Sequence, residues 1–127
     1  MTREVKPTSI APPAAAYAHA VVSEGTTRML HTAGVVPIRP DGKVPEGLAD
    51  QAAVVWANIR AILDEAGFAI TDIVSMTTYV VAGANMALVM GARDEVLAGH
   101  RAASTLIFVP ALARPQWLME VTVVAAQ

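Results

Sequence analysis

The stretch H-R-A-A-S-T-L-I-F-V-P-A-L-A-R-P-Q-W-L-M-E-V-T-V-V-A-A-Q, residues 100–127, decides the fold. Its two β-branched, apolar runs, Ala103–Val109 and Trp117–Ala125, flank a segment marked by Pro110 and Pro115. Runs of this kind, punctuated by proline, read as strand, loop, strand. One acid interrupts the second run. Glu120 follows Leu118 and Met119 and precedes Val121–Ala126, where only Thr122 is polar. Strand side chains alternate between faces, so Glu120 shares a face with Leu118, Thr122 and Val124. An unpaired buried carboxylate is costly, so Glu120 should be paired, hydrogen-bonded, protonated or facing a cavity. The alternative is an edge strand whose glutamate faces water.

Upstream, Leu48–Ala66 is the clearest helix. Leu48, Ala52, Val55, Ile59, Ile62, Leu63 and Ala66 recur at helical spacing, and Gly67 is the expected stop. Asp72–Val81 reads as a strand, with Val74, Met76, Thr78 and Val80 on one face. Asn85 is placed to cap a second helix, Met86–Leu97, whose stripe is Met86, Val89, Met90, Val96 and Leu97. Before the first helix, Gly34–Gly47 is a loop, with a turn at Asp41-Gly42. Tyr17–Ser23 and Arg28–Ala33 flank a turn at Gly25 and are expected to form a hairpin. Met1–Ala16, with Pro7, Pro12 and Pro13, is expected to be an irregular arm. Two helices can cover one face of a single mixed sheet, an α+β sandwich, in one domain over residues 1–127.

Composition bounds the function. Charged residues are only 16% and hydrophobic ones 54%, a lean surface that favours an oligomer, although alanine inflates the second figure. A net charge of −2 with no basic run gives no support to nucleic-acid binding. The absence of cysteine excludes disulfides, a thiolate nucleophile and thiolate metal ligands. His19, His31 and His100 have no metal-ligand spacing, and no nucleophile elbow or phosphate loop occurs. No metal or cofactor is expected. The first residues lack an apolar signal core, and no run approaches the roughly 20 residues of a membrane span. The expectation is a cytoplasmic protein with no membrane partner.

The C-terminal stretch, as S-T-L-x-x-V and L-A-R-P-x-W-L-x-E-V, resembles the signature of the RidA/YjgF family, also called L-PSP endoribonucleases. The likeness extends over A-P-P-A-A-A-Y-A-H-A-V, H-T-A-G-V-V-P-I-R-P-D-G-K-V-P and Q-A-A-V-V-W-A-N-I-R-A-I-L-D-E-A-G, in the family's order and spacing. It implies a chorismate-mutase-like α+β fold, a homotrimer, and small-molecule sites in clefts between subunits. In deaminases of the family, an arginine in A-R-S-T grips the substrate carboxylate, and a glutamate of the last strand positions or protonates a water that attacks the imine carbon. A tyrosine and a serine-glycine pair line the same cleft.

Carried over, Tyr17 and Glu120 match as catalytic residues and Gly34 matches the glycine. The departures are Ala103 for the arginine, Ala33 for the serine, Val35 for a glutamine and Met90 for an asparagine of the second helix. The substrate-binding set is therefore Arg101, His19, Ala33, Gly34, Met90, Ala103 and Ser104. Arg101 lies two residues before Ala103, so a continuous strand would put both on one face. Its bland reading is an exposed residue at a strand start. His19 neighbours Tyr17 by alternation and could titrate near neutral pH, or simply pack at an interface. Arg114 reads as a loop residue, and Trp56 and Trp117 as packing residues.

Three functions compete: hydrolysis of an imine, enamine or related small nitrogenous metabolite, inefficient on 2-iminopropanoate; a non-catalytic module binding a small ligand or a protein; and, last, an endoribonuclease. The last lacks a basic or aromatic RNA track.

Overall fold

The computed structural model describes residues 1–127. The chain runs β1 (Thr2–Val5), β2 (Ala20–Ser23), β3 (Met29–His31), α1 (Leu48–Ala66), a short 3-10 turn (Ile70–Asp72), β4 (Ile73–Val81), α2 (Met86–Leu97), β5 (Ala103–Val109) and β6 (Met119–Ala126). Four strands form a mixed sheet in the order β3-β6-β4-β5, with β4 and β5 parallel and the other pairs antiparallel.

The core lies between one face of this sheet and the helices. From α1 it takes Ala52, Val55, Ile59 and Leu63 of the expected stripe together with Trp56, while Leu48 and Ala66 are half-buried and Ile62 is exposed. From β4 it takes Met76 and Val80, and from β6 Met119, Val121, Val123 and Ala125. Each fully buried aliphatic side chain contributes roughly 1.5–3 kcal/mol. Gly67, left-handed at φ 77°, ends α1 as its sequence position implies. Asn85 caps α2, its side chain accepting from the Leu88 N–H at 3.3 Å.

Several details differ from the sequence reading. β2 and β3 do not form a hairpin. β2 pairs instead with β1, inside the expected irregular arm, and the two make a separate ribbon rather than joining one sheet. β3 pairs with β6 at the far end of the chain. Strand runs close in sequence imply a hairpin only when no distant partner competes, and here β6 does. The Thr27 and Arg28 N–H groups both donate to the Gln127 carbonyl, drawing β3 towards the C-terminus. A register shift between Ile73 and Ser75 puts Ile73 in the core and leaves Val74 half-buried. Along α2, Met86 is exposed and Arg93 lies buried between Val89 and Leu97.

Gln51 is fully buried in α1, which hydrophobic spacing did not anticipate. Its Nε2 donates to the carbonyls of Pro45 at 2.7 Å and Gln116 at 2.8 Å, and its Oε1 accepts from the Leu118 N–H at 2.8 Å. Asn58 likewise donates to the carbonyls of Val36 and Ile38. These two polar residues staple the loops before α1 and β6 to the helix. Gln51→Leu keeps the volume but orphans three backbone groups, at about 1–3 kcal/mol for each one left dry. The expected loss is roughly 2–4 kcal/mol, seen as a lower denaturant midpoint at fixed protein concentration.

Candidate functional site

The sheet face away from the helices brings strand hydroxyls together with one acid, Glu120. Register arranges it in rows. Val124, Ser75 and Ala103 form one, with His31 of β3 opposite Val124. Thr122, Thr77 and Thr105 form the next, and Glu120, Tyr79 and Ile107 the third. These residues are half-buried or exposed, because no element of the chain covers them.

Glu120 extends past the edge of β6 onto Gly34. The chain is held there by reciprocal backbone hydrogen bonds between Val35 and Val121. A Cβ at position 34 would lie 1.8 Å from Glu120 Oε2 and 3.0 Å from its Cδ, so the carboxylate occupies the space that glycine leaves. This close approach, rather than a left-handed backbone, is what requires glycine there. The carboxylate has no ion pair or hydrogen bond within its own chain; the ion pairs present are Arg93–Asp94 and Arg101–Glu4. Tyr79 is its direct cross-strand neighbour, with Cβ atoms about 5 Å apart in such pairs. Gly34 also borders a cavity of about 420 Å³, lined by Ala33, Val35, Val36 and Ile38 and by Asn58, Ala61 and Ile62 of α1.

The other predicted residues gather at the opposite edge. Ala18 bridges to Ala103, and its N–H donates to the Ala102 carbonyl, bringing Tyr17 and His19 alongside the start of β5. Tyr17 and His19 meet edge to face, with centroids 6.0 Å apart. The Tyr17 hydroxyl accepts from the Ala14 N–H at 3.3 Å. His19 Nε2 lies 2.7 Å from the Ala11 carbonyl, which only accepts, so Nε2 carries the proton and Nδ1 is free.

Arg101 does not share Ala103's face as expected. β5 begins at Ala103, so strand alternation does not reach back to Arg101. Its guanidinium turns to the N-terminal arm, where Nη2 donates to the Tyr17 carbonyl at 2.6 Å and Nε lies 3.0 Å from Glu4 Oε1. That second contact is an ion pair by distance only, since the Nε–H makes no directed hydrogen bond. Ser104 also departs from expectation. It points to the helix side, where its hydroxyl accepts a long 3.4 Å bond from Arg93. Met90 is half-buried on α2, on the helix side of the sheet.

Within one chain the two groups stay apart. Ala103 and Glu120 are two strands and four residues apart, roughly 17 Å by strand spacing and rise. Ala33, Gly34, Glu120 and Tyr79 therefore lie in one cluster, and Tyr17, His19 and Ala103 in another. Tyr79, Ile107 and Glu4 were missed from sequence, because only register and the fold of the arm reveal their positions. No group of three or more His, Cys, Asp or Glu side chains is placed to hold a metal ion.

A family profile described as "Endoribonuclease L-PSP" matches residues 8–127. The chain belongs to the RidA/YjgF, or endoribonuclease L-PSP, family. This RidA/YjgF protein is similar to a RutC family protein of Aquifex aeolicus (strain VF5), at 35% identity over 79 residues covering 61% of each chain. It is 40% identical over 53 residues to the 2-iminobutanoate/2-iminopropanoate deaminase of Escherichia coli (strain K12), covering 41% of each. The aligned stretches thus span less than two thirds of these curated relatives. Among solved structures, the Rid family protein YyfB of Yersinia pestis, of unknown function, superposes with a TM-score of 0.85 at 30% identity, covering 99% of this chain and 98% of that one. The RidA/YjgF fold here is accordingly α+β, with two helices on a mixed sheet, and no helix is long and apolar enough to cross a membrane.

Proposed function

We propose that the protein is a homotrimeric deaminase of reactive imines or enamines, working in a cleft between subunits. One observation carries the reading: the Glu120 carboxylate is seated on Gly34 at the rim of an uncovered face, with no partner in its own chain. A group in that position can manage a water. Glu120 takes a proton as the water oxygen bonds to the imine carbon and passes it to the nitrogen; the remaining hydroxyl proton follows to nitrogen as the C–N bond breaks and the C=O bond forms. The products are a carbonyl compound and ammonia. Imines hydrolyse readily, so positioning plus proton transfer suffices.

The separation of the two clusters supports an oligomer. Tyr17 of one subunit approaches Glu120 of another only if copies pack through the uncovered sheet face. Exposed Ile107 on β5, in the same row as Glu120 and Tyr79, fits such burial. The family relation supports the chemistry, through the relative named as a 2-iminobutanoate/2-iminopropanoate deaminase. A non-catalytic ligand-binding role is the second reading. It is favoured by Ala103 and Ala33, which replace polar positions in the family pattern.

The test combines two measurements. Sedimentation equilibrium should give about three times the 13.3 kDa chain mass, and a monomer at micromolar concentration would sink the inter-subunit site. Imines made in situ by an amino-acid oxidase should disappear faster with the protein than without it. On 2-iminopropanoate the rate should be low. Without an arginine at Ala103 the carboxylate forgoes roughly 1.5–3 kcal/mol of charged hydrogen bonding, about tenfold to a hundredfold in affinity. A rate equal to that of an arginine-bearing relative would contradict this assignment.

A further inference from the structure

We propose that the Glu120 face selects a cation lacking a carboxylate, a protonated imine whose carbon substituents are uncharged. The proposal rests on the deaminase reading of the same site and adds the substrate class.

The argument is electrostatic. Across the three rows of the uncovered face, from β4 to β6, every residue but one is apolar or hydroxyl-bearing, and the exception is Glu120. His31, at the β3 end, is two rows away, opposite Val124. Glu120 has no counter-charge in its own chain. The arginines placed by contacts are committed elsewhere. Arg93 is buried on the helix side against Asp94 and Ser104. Arg28 lies over the Phe68 ring, 4.6 Å from its centroid, and Arg114 over Trp117. Arg101, nearest the opposite edge, is neutralised by Glu4 and tied to the Tyr17 carbonyl, while Lys6 lines a cavity of the arm beyond it. A second copy presenting its Tyr17 and Ala103 edge therefore adds no uncompensated charge from Arg101. A lone carboxylate among hydroxyl and apolar groups attracts a cation and repels an anion, the more so as packing excludes water.

The iminium supplies that cation at its own nitrogen. Water adds its oxygen to carbon, the C=N π pair moves to nitrogen, and Glu120 carries the water proton across. The C–N bond then breaks, its electron pair leaving with nitrogen, while an oxygen lone pair forms the C=O bond and the hydroxyl proton passes to the departing nitrogen. One iminium ion and one water thus give one ketone or aldehyde and one ammonium ion. The single positive charge is conserved, and no atom changes oxidation state. Uncharged substituents would lie against Tyr79, Ile107 and the threonine row.

The experiment compares butylammonium and butanoate binding by NMR titration, with the wild-type protein and Glu120→Gln. It also compares turnover of the imine that an amine oxidase makes from butylamine with that of 2-iminobutanoate. The expected result is at least tenfold tighter binding of butylammonium, weakened by salt and lost in Glu120→Gln, with the carboxylate-free imine turned over faster. Equal or tighter binding of butanoate overturns the proposal. Glu120-dependent binding of butylammonium without turnover of either imine upholds the cation preference and overturns the deaminase reading alone.

Discussion

Replacing Glu120 with glutamine is expected to lower imine hydrolysis by about 10²–10⁴-fold, the usual range for removing a positioned acid–base group. The substitution is nearly isosteric, and the native carboxylate makes no ion pair in its chain, so little folding energy is at stake. The variant should remain folded with the wild-type sedimentation mass. The amide can still hold a water over Gly34 but cannot shuttle its proton. For a protonated imine the loss should fall on kcat, through the missing proton transfer, and on KM, through the missing charge. Single-turnover rates with imine generated in excess separate the two. Full activity in Glu120→Gln would move the chemistry to the opposite edge, to Tyr17 and His19, where the Nδ1 of His19 is unengaged.

What could be read in advance followed periodicity. The stripe of α1 and the alternation of β6 gave the helix, the strand and the layer between them, because each is set by local spacing against one core. Glu120 stood out for the same reason, as the one charge in an apolar strand. The failures are non-local. Pairing β2 with β3 was the simplest local choice, yet β1 and β6 took those edges. Spacing of two residues suggested that Arg101 and Ala103 share a face, but the strand starts at Ala103, and Glu4, nearly a hundred residues away in sequence, captures the guanidinium. Tyr79 was legible as a strand residue, but its place beside Glu120 depends on β4–β6 register, which a one-residue slip would reverse.

Gly34→Ala is expected to abolish most of the activity while leaving stability nearly intact. The added methyl would sit 1.8 Å from Glu120 Oε2, well inside contact distance, so one of the two must move. Backbone at position 34 is pinned by the Val35–Val121 hydrogen bonds, at 2.8 and 3.1 Å, whereas the carboxylate is the free end of a flexible side chain. The carboxylate therefore swings away, at the modest cost of about 0.5–1.5 kcal/mol if it leaves its preferred rotamer. A shift of about 1 Å in a positioned group is enough to cost on the order of 10²-fold in rate. The thermal midpoint should change by only a few degrees. If Gly34 acts only through Glu120, adding Gly34→Ala to Glu120→Gln should cost little more than Glu120→Gln alone. Independent, multiplying losses would mean that Gly34 serves the site by another route, such as its backbone or the cavity it borders. Unchanged activity in Gly34→Ala would mean that the seat of Glu120 on Gly34 is not the working position of the carboxylate.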